Sequence, residues 1–404
     1  MFENCMQRYR EPEEGHRFRV VLAGDVCPGN AGGEPAEILR EVSGFIRSGD
    51  LRIVQWETPT ASAENPIPKS GPNLNSPAGS IEIVRAAGFQ VALLANNHIG
   101  DHGGAAVGET IGQLRARGLE TVGAGENLEE ASRPLFLRAG KSPVALLNFA
   151  ENEFGSADVG KPGSAPLSPL RNLKKTREAA KNAEFVIVAL HGGHEHNPFP
   201  SPRLQELCRA FADAGAHLVF NCHTHCPEGV EYYNGTQIVY SPGNFYFPKY
   251  ESPLWNTGYL VRCGFDRRGV YELELLPFRF DRERVTPLGE AERPLFARYM
   301  ERLCAPLKDP ARLRKLFEAW STRYGRSYLA GVLKGIPADW EERLADPETV
   351  GRLLHLRNLF TCESHHDMIR CYLRLIEEHR VAEAAEAFPE IEAFAVPEWM
   401  GQPK

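Results

Sequence analysis

From residue 17 onward the chain alternates short β-branched runs with amphipathic helical stretches, and this alternation leaves few folds open to it. RFRVVLAG (17–24), LRIVQWE (51–57), FQVALLAN (89–96), SPVALLNFA (142–150), EFVIVALHGG (184–193) and AHLVFNCH (216–223) read as buried strands. Between them, PAEILREVSGFIR (35–47) places Ile38, Val42, Phe45 and Ile46 on one helical face. SIEIVRAAG (80–88) runs from a Ser cap to a Gly stop, and VGETIGQLRARG (107–118) follows. SPRLQELCRAFADAG (201–215) has Ser and Pro at its start and Gly at its end. Strands separated by helices point to crossover connections and an α/β core.

Further on, VEYYN (230–234), TQIVYSPGN (236–244), TGYLVRCGF (257–265) and VYELELLPF (270–278) follow one another with turns instead of helices, Asn234-Gly235 being a hairpin signal. The α/β section therefore ends in antiparallel strands. After about residue 284 strand character disappears, and stretches such as 311–325 and 348–379 have helical periodicity, punctuated by Pro287, Pro294, Pro306, Pro310 and Pro337. The expected organisation is a tail over 1–15, an α/β domain over 16–284 and a helical extension over 285–404. Residues 58–79 form a Pro/Ser/Asn-rich loop long enough to suggest a functional lid.

Bulk properties exclude several classes. The 404 residues are 42% hydrophobic and 25% charged, an ordinary globular composition. A net charge of −7 with no run of Lys or Arg argues against binding nucleic acid or an anionic membrane. The first residues are dense in charge, with no apolar core of a signal peptide, and no stretch of 18 apolar residues occurs. Nine scattered cysteines without a CxxC pair fit reduced thiols. A cytoplasmic protein with no membrane insertion is expected.

Residues able to hold a metal recur where the strands end: Asp25, Glu57, Asn97 with His98, His191, and His223 with His225. In open α/β sheets ligands bind outside the carboxyl ends of strands, so parallel neighbours would bring these side chains to one rim. A lone Asp there is usually a turn residue or cap; polar residues at five strand ends are harder to attribute to capping. Carboxylate, amide and imidazole donors together suit two divalent ions such as Mn, Fe or Zn. Such a pair clamps a phosphoryl group and lowers the pKa of a bridging water. Glu57 could bridge the ions, His98 could act on a leaving group, and Asp101 could orient the His98 ring. FNCHTHC (220–226) also admits a local Cys₂His₂ zinc knot. Adjacent Cys222 and His223 point to opposite sides of an extended chain, however, whereas His223 and His225 share a side.

LAGDVCPG (22–29), WETP (56–59), ANNHIGDHG (95–103), LHGGHE (190–195), ADAGAHLVFNCHTH (212–225) and VEYYNGTQIVYSPGNFYF (230–247) stand in one order over roughly 230 residues. In this the chain resembles the CapA/PgsA capsule-synthesis proteins, of calcineurin-like metallophosphoesterase fold. The resemblance implies a layered α/β/β/α sandwich and metal-ligand roles for Asp25, Glu57, Asn97, His191, His223 and His225. It also implies active-site roles for His98, Glu195 and Asn244. A metal-dependent hydrolase of a phosphoester, or of a glutamyl polymer amide, is the expected activity. The alternative is a non-catalytic accessory of capsule or poly-γ-glutamate synthesis.

The pattern departs from the family at Cys27, where phosphoesterases carry the His of Asp-x-His, and at Gln55, Cys222 and Thr224. Cys27 either supplies a thiolate or leaves one metal short of a ligand. Glu231 either holds a ligand histidine or sits on a strand face. His194 and His196 divide between substrate contacts and ligands. RNLFTCESHHD (357–367) resembles a tail of some soluble members, with His365 and His366 expected on a solvated helix face. Cys208 and Trp56 are expected in the core.

Overall fold

Strand Phe18–Val26 is buried almost throughout because its two faces enter different cores. Val20 and Leu22 join one apolar cluster with Leu51, Ile53, Val91 and Leu93, while Ala23 and Val26 join another with Val54, Trp56, Ala92 and Leu94. The period-2 alternation of a strand separates Val20 and Leu22 from Ala23, and the register shift before Asp25 turns Val26 to the side of Ala23. Each fully buried Val, Leu or Ile contributes about 1.5–3 kcal/mol. The computed structural model describes residues 5–13, 15, 17–29, 31–333 and 335–401.

The first core lies between two sheets. One sheet has nine strands, with the path Met6–Arg8, Gly269–Phe280, Thr257–Asp266, Phe18–Val26, Leu51–Trp56, Val91–Leu93 and Glu120–Val122. Its last four strands are mutually parallel, and the hairpin of Thr257–Asp266 with Gly269–Phe280 is antiparallel. Asn244–Tyr246 lies parallel beside Phe18–Val26, and Val285–Pro287 pairs with Gly269–Phe280. The other sheet has six strands in the order Val230–Tyr233, Thr236–Val239, Leu218–Cys222, Phe185–His191, Ser142–Ala150 and Leu135–Ala139. Its four inner strands are parallel and its edges antiparallel.

Helices cover both outer faces. Ile38, Val42, Ile46, Ile81, Val84, Val107 and Leu114 pack on the nine-stranded sheet. Leu204, Cys208 and Phe211 of Pro202–Asp213 belong to the core of the six-stranded sheet, and Ser201 caps that helix by accepting from Leu204 N at 3.2 Å. The result is the layered α/β/β/α arrangement, with Cys208 and Trp56 both in its cores. Leu135–Ala139 is an edge strand that the alternation argument does not single out, because Phe136 and Arg138 are exposed.

Helices follow Val285–Pro287, chiefly Arg293–Cys304, Pro310–Leu333, Pro347–Thr361 and Glu363–Glu377. Phe296, Tyr299, Leu303, Leu316 and Trp320 share the intersheet cluster, so this extension and the sandwich have one continuous core. The helical periodicity of 348–379 is interrupted at Cys362, whose φ of −76° and ψ of 123° are extended. No helix among the described residues is long and apolar enough to cross a membrane.

Candidate metal centre

The parallel strands of both sheets end at the same rim, so donors that are remote in sequence meet there. Asp25 comes from the end of Phe18–Val26, where the ladder to Leu51–Trp56 shifts register between Ala23 and Asp25. Such a bulge re-aims a side chain. Gly24 is obligatory at this point, since a Cβ there would lie 2.0 Å from Gly243 O. Glu57 follows Leu51–Trp56 and is fully buried. Asn96 shapes the next turn: its Oδ1 accepts from His98 N at 3.0 Å and Ile99 N at 2.7 Å, presenting Asn97 and His98.

The six-stranded sheet supplies the imidazoles. His191 Nε2 lies 3.0 Å from Asn97 Oδ1, 3.3 Å from Glu57 Oε1 and 3.2 Å from His223 Nδ1. His225 Nδ1 lies 2.9 Å from Asn244 Oδ1 and 3.7 Å from Asp25 Oδ2. Glu57, His191 and His223 offer donor atoms within 4.8 Å of one another, as do Asp25, Glu57 and His225, and also Glu195, His223 and His225. Glu195 thus stands with two histidines at the exposed edge of the cluster.

His223 and His225 converge by a different route from the extended one expected of them. Strand Leu218–Cys222 ends before them, and they adopt φ of 102° and 55°. Side chains other than Gly rarely occupy this left-handed region, which costs about 1–3 kcal/mol. His223 N donates to Asp25 Oδ2 at 3.1 Å and anchors the turn. Gly192 is likewise required, because a Cβ there would come 2.6 Å from Glu151 Cγ.

Asp25 Oδ1, both Glu57 oxygens and His191 Nδ1 are buried with no hydrogen-bond partner. Burial raises Asp25 to about 7, the Glu195 charge adding to it, and burial with the Asp25 charge pushes Glu57 well above the carboxylate range. Burial and the neighbouring imidazoles hold His191 well below its ordinary value. Burial takes His225 to about 3, with His223 adding to the depression and Glu195 opposing it. Orphaned buried oxygens cost free energy unless a cation satisfies them, and neutral imidazole is the metal-binding form. The donor set fits divalent metal.

Beside this cluster His98 Nδ1 lies 2.7 Å from Asp101 Oδ2, and Lys69 Nζ donates to Asp101 Oδ1 at 2.5 Å. Lys69 is the only cation of the 58–79 loop and is buried; its position in a Pro/Ser/Asn-rich segment was the sole sequence signal for it. Sequence reasoning also missed Glu151, whose carboxylate accepts from Arg203 and from Ser364 N at 3.2 Å.

Two residues left open by the sequence have the following surroundings. The Glu231 carboxylate is engaged by Arg209 Nε at 3.1 Å and Tyr240 Oη at 2.6 Å, not by a ligand histidine. Cys27 belongs to none of the convergent donor groups among the described residues, and burial, with the Glu57 charge adding, pushes its thiol upward. His194 is buried, and its Nε2 lies 2.8 Å from Ser364 O. His365 is half-buried, and only His366 has the solvated face expected of both.

Paired sheets carrying carboxylate, amide and imidazole donors at their strand ends define a protein of the metallophosphoesterase-like class. Residues 19–249 match the family described as bacterial capsule synthesis protein PGA_cap, and the chain belongs to that family. It is 30% identical over 293 residues to the capsule biosynthesis protein CapA of Bacillus anthracis, covering 69% of this chain and 71% of that one. It is 30% identical over 244 residues to the PGA biosynthesis protein CapA of Bacillus subtilis, covering 59% and 64%. A probable polyglutamine synthesis accessory protein of Mycobacterium tuberculosis is 24% identical over 234 residues, covering 53% and 61%.

Proposed function

We propose that this chain is a metal-dependent hydrolase of an anionic substrate, most simply a phosphoester, working at Asp25, Glu57, Asn97, His191, His223 and His225. The observation that carries the reading is the set of partnerless buried oxygens of Asp25 and Glu57 facing three imidazoles from the opposite sheet. Two divalent ions such as Mn, Fe or Zn, when bound there, activate water and stabilise negative charge developing on a phosphoryl group. Two dications outweigh the charges of Asp25, Glu57 and Glu195, which favours an anionic substrate.

The remaining roles fall to the protein. Asn244 fixes the ring of His225 through a contact of 2.9 Å, while Asn97 Oδ1 and His191 Nε2, 3.0 Å apart, stand as adjacent donors. Asp101 engages His98 Nδ1, leaving Nε2 as the nitrogen that exchanges a proton with the leaving group. Burial holds His98 below its ordinary pKa, Asp101 opposes this, and Lys69 adds to it. Nine free cysteines support a reducing compartment such as the cytoplasm.

The names of the Bacillus and Mycobacterium relatives favour a second reading, in which the chain serves poly-γ-glutamate or capsule synthesis, either cleaving a glutamyl polymer amide or acting as a non-catalytic accessory. Protein purified without chelator should contain metal and hydrolyse generic phosphomonoesters or diesters with Mn²⁺, and His223→Ala and Asn97→Ala should abolish turnover. Metal-free protein with no turnover on esters, or activity retained in both variants, overturns the hydrolase. Turnover of glutamyl polymer alone selects the second substrate.

A further inference from the structure

The break in the helical extension brings a second set of metal donors together. Glu153, from the turn after Ser142–Ala150, meets Cys362 and His365 with carboxylate, thiol and imidazole atoms within 4.8 Å of one another. Cys362 stands at the N-terminal boundary of helix Glu363–Glu377, and His365 lies in the first turn of that helix.

The junction is held from several sides. Glu363 accepts from Asn152 N at 2.8 Å, Arg203 donates to Ser364 Oγ at 3.0 Å, and Ser364 N donates to Glu151 at 3.2 Å. The imidazole and the thiol have capacity to spare. His365 Nδ1 is buried without a partner, while its Nε2 lies 3.3 Å from Tyr328 Oη. Cys362 Sγ makes a long contact of 3.6 Å to Glu151 Oε2.

We propose that Glu153, Cys362 and His365 form a further transition-metal site, of zinc type, that clasps the helical extension to the α/β core. Mixed sulfur, nitrogen and carboxylate donors select zinc-like ions over magnesium or calcium. Binding converts the Cys362 thiol to thiolate, with its proton released to solvent. Nδ1 of His365 takes the metal while Tyr328 holds the other ring nitrogen, the outer contact that orients a ligand histidine. With three protein ligands, a fourth position stays open to water or to an anion. The site does not depend on the hydrolase reading, because it uses none of the residues assigned to the main centre.

Cobalt(II) substitution of the full-length protein tests it. The wild type should show a thiolate-to-cobalt charge-transfer band and bind one more ion per chain than Cys362→Ser. The band should persist in Cys27→Ser and in His191→Ala and be lost in Cys362→Ser. A wild type without the band, a band that disappears in Cys27→Ser, or one that survives Cys362→Ser overturns the proposal. Should Cys362→Ser fail to fold, Glu153→Gln and His365→Ala carry the same test: loss of one ion supports the site, and unchanged metal content overturns it.

Discussion

His191 Nε2 lies 3.3 Å from Glu57 Oε1, although the two residues belong to strand ends of different sheets. Any cation held between them ties the halves of the sandwich together. Metal affinity and folding stability are therefore linked.

Glu57→Gln should separate the two quantities. Without metal, burial and the Asp25 charge hold Glu57 toward its neutral form, which glutamine imitates. Chelated Glu57→Gln should melt at or above the chelated wild type. A divalent metal at 100 times its Kd should stabilise the wild type by about 2.7 kcal/mol, and the variant should lose most of that gain. Thermal denaturation with and without metal reads both terms; an undiminished gain in the variant would count against Glu57 as a ligand.

Asp101→Asn should leave metal content unchanged and lower kcat by about 10- to 100-fold, because it disturbs the ring of His98 without removing a ligand. Metal analysis alongside steady-state kinetics checks this. Parallel losses of metal and activity would place Asp101 in the metal site instead.

Backbone strain at His223 predicts an order of stabilities. Its φ of 102° disfavours any side chain, so chelated His223→Gly should be more stable than chelated His223→Ala by about 1 kcal/mol. Both variants should bind less metal than the wild type. Denaturant melts in chelator would reveal the reverse order if the turn relaxes when the imidazole is removed.

A pH dependence is expected far from the site. Burial acts to raise Asp266, but its hydrogen bonds with Arg10, one of them 2.6 Å long, and those from Glu13 N and Arg268 N outweigh it and lower it from 3.8 to about 2. The depressed folded value means that the contribution is full above the unfolded value and is lost as pH falls through about 2. Asp266→Asn should therefore cost about 2 kcal/mol at neutral pH, with the gap from wild type closing in strong acid. Urea melts across pH would show a constant gap if the pair contributes no linkage.

The sequence by itself determined the order of elements and the chemistry at their ends. Strands such as Leu51–Trp56 and Ser142–Ala150 were legible because burial on both faces demands continuous β-branched and apolar runs. Asp25, Glu57, Asn97 and His191 were legible because a polar residue capable of metal binding stands out where such a run stops.

Only the tertiary structure decided which sheet each strand joins, since pairing depends on contacts between segments remote in sequence. It turned His223 and His225 through left-handed conformations, which a non-glycine sequence does not advertise. It drew Lys69 onto Asp101 from an otherwise featureless loop and occupied Glu231 with Arg209. The helical extension shows the limit most clearly. Periodicity runs through Cys362 because both flanking segments are amphipathic, and the break there shows only once Glu151 and Asn152 hold the junction from across the fold. Local pattern reports which residues prefer to be buried or exposed; it does not report which distant group they will face.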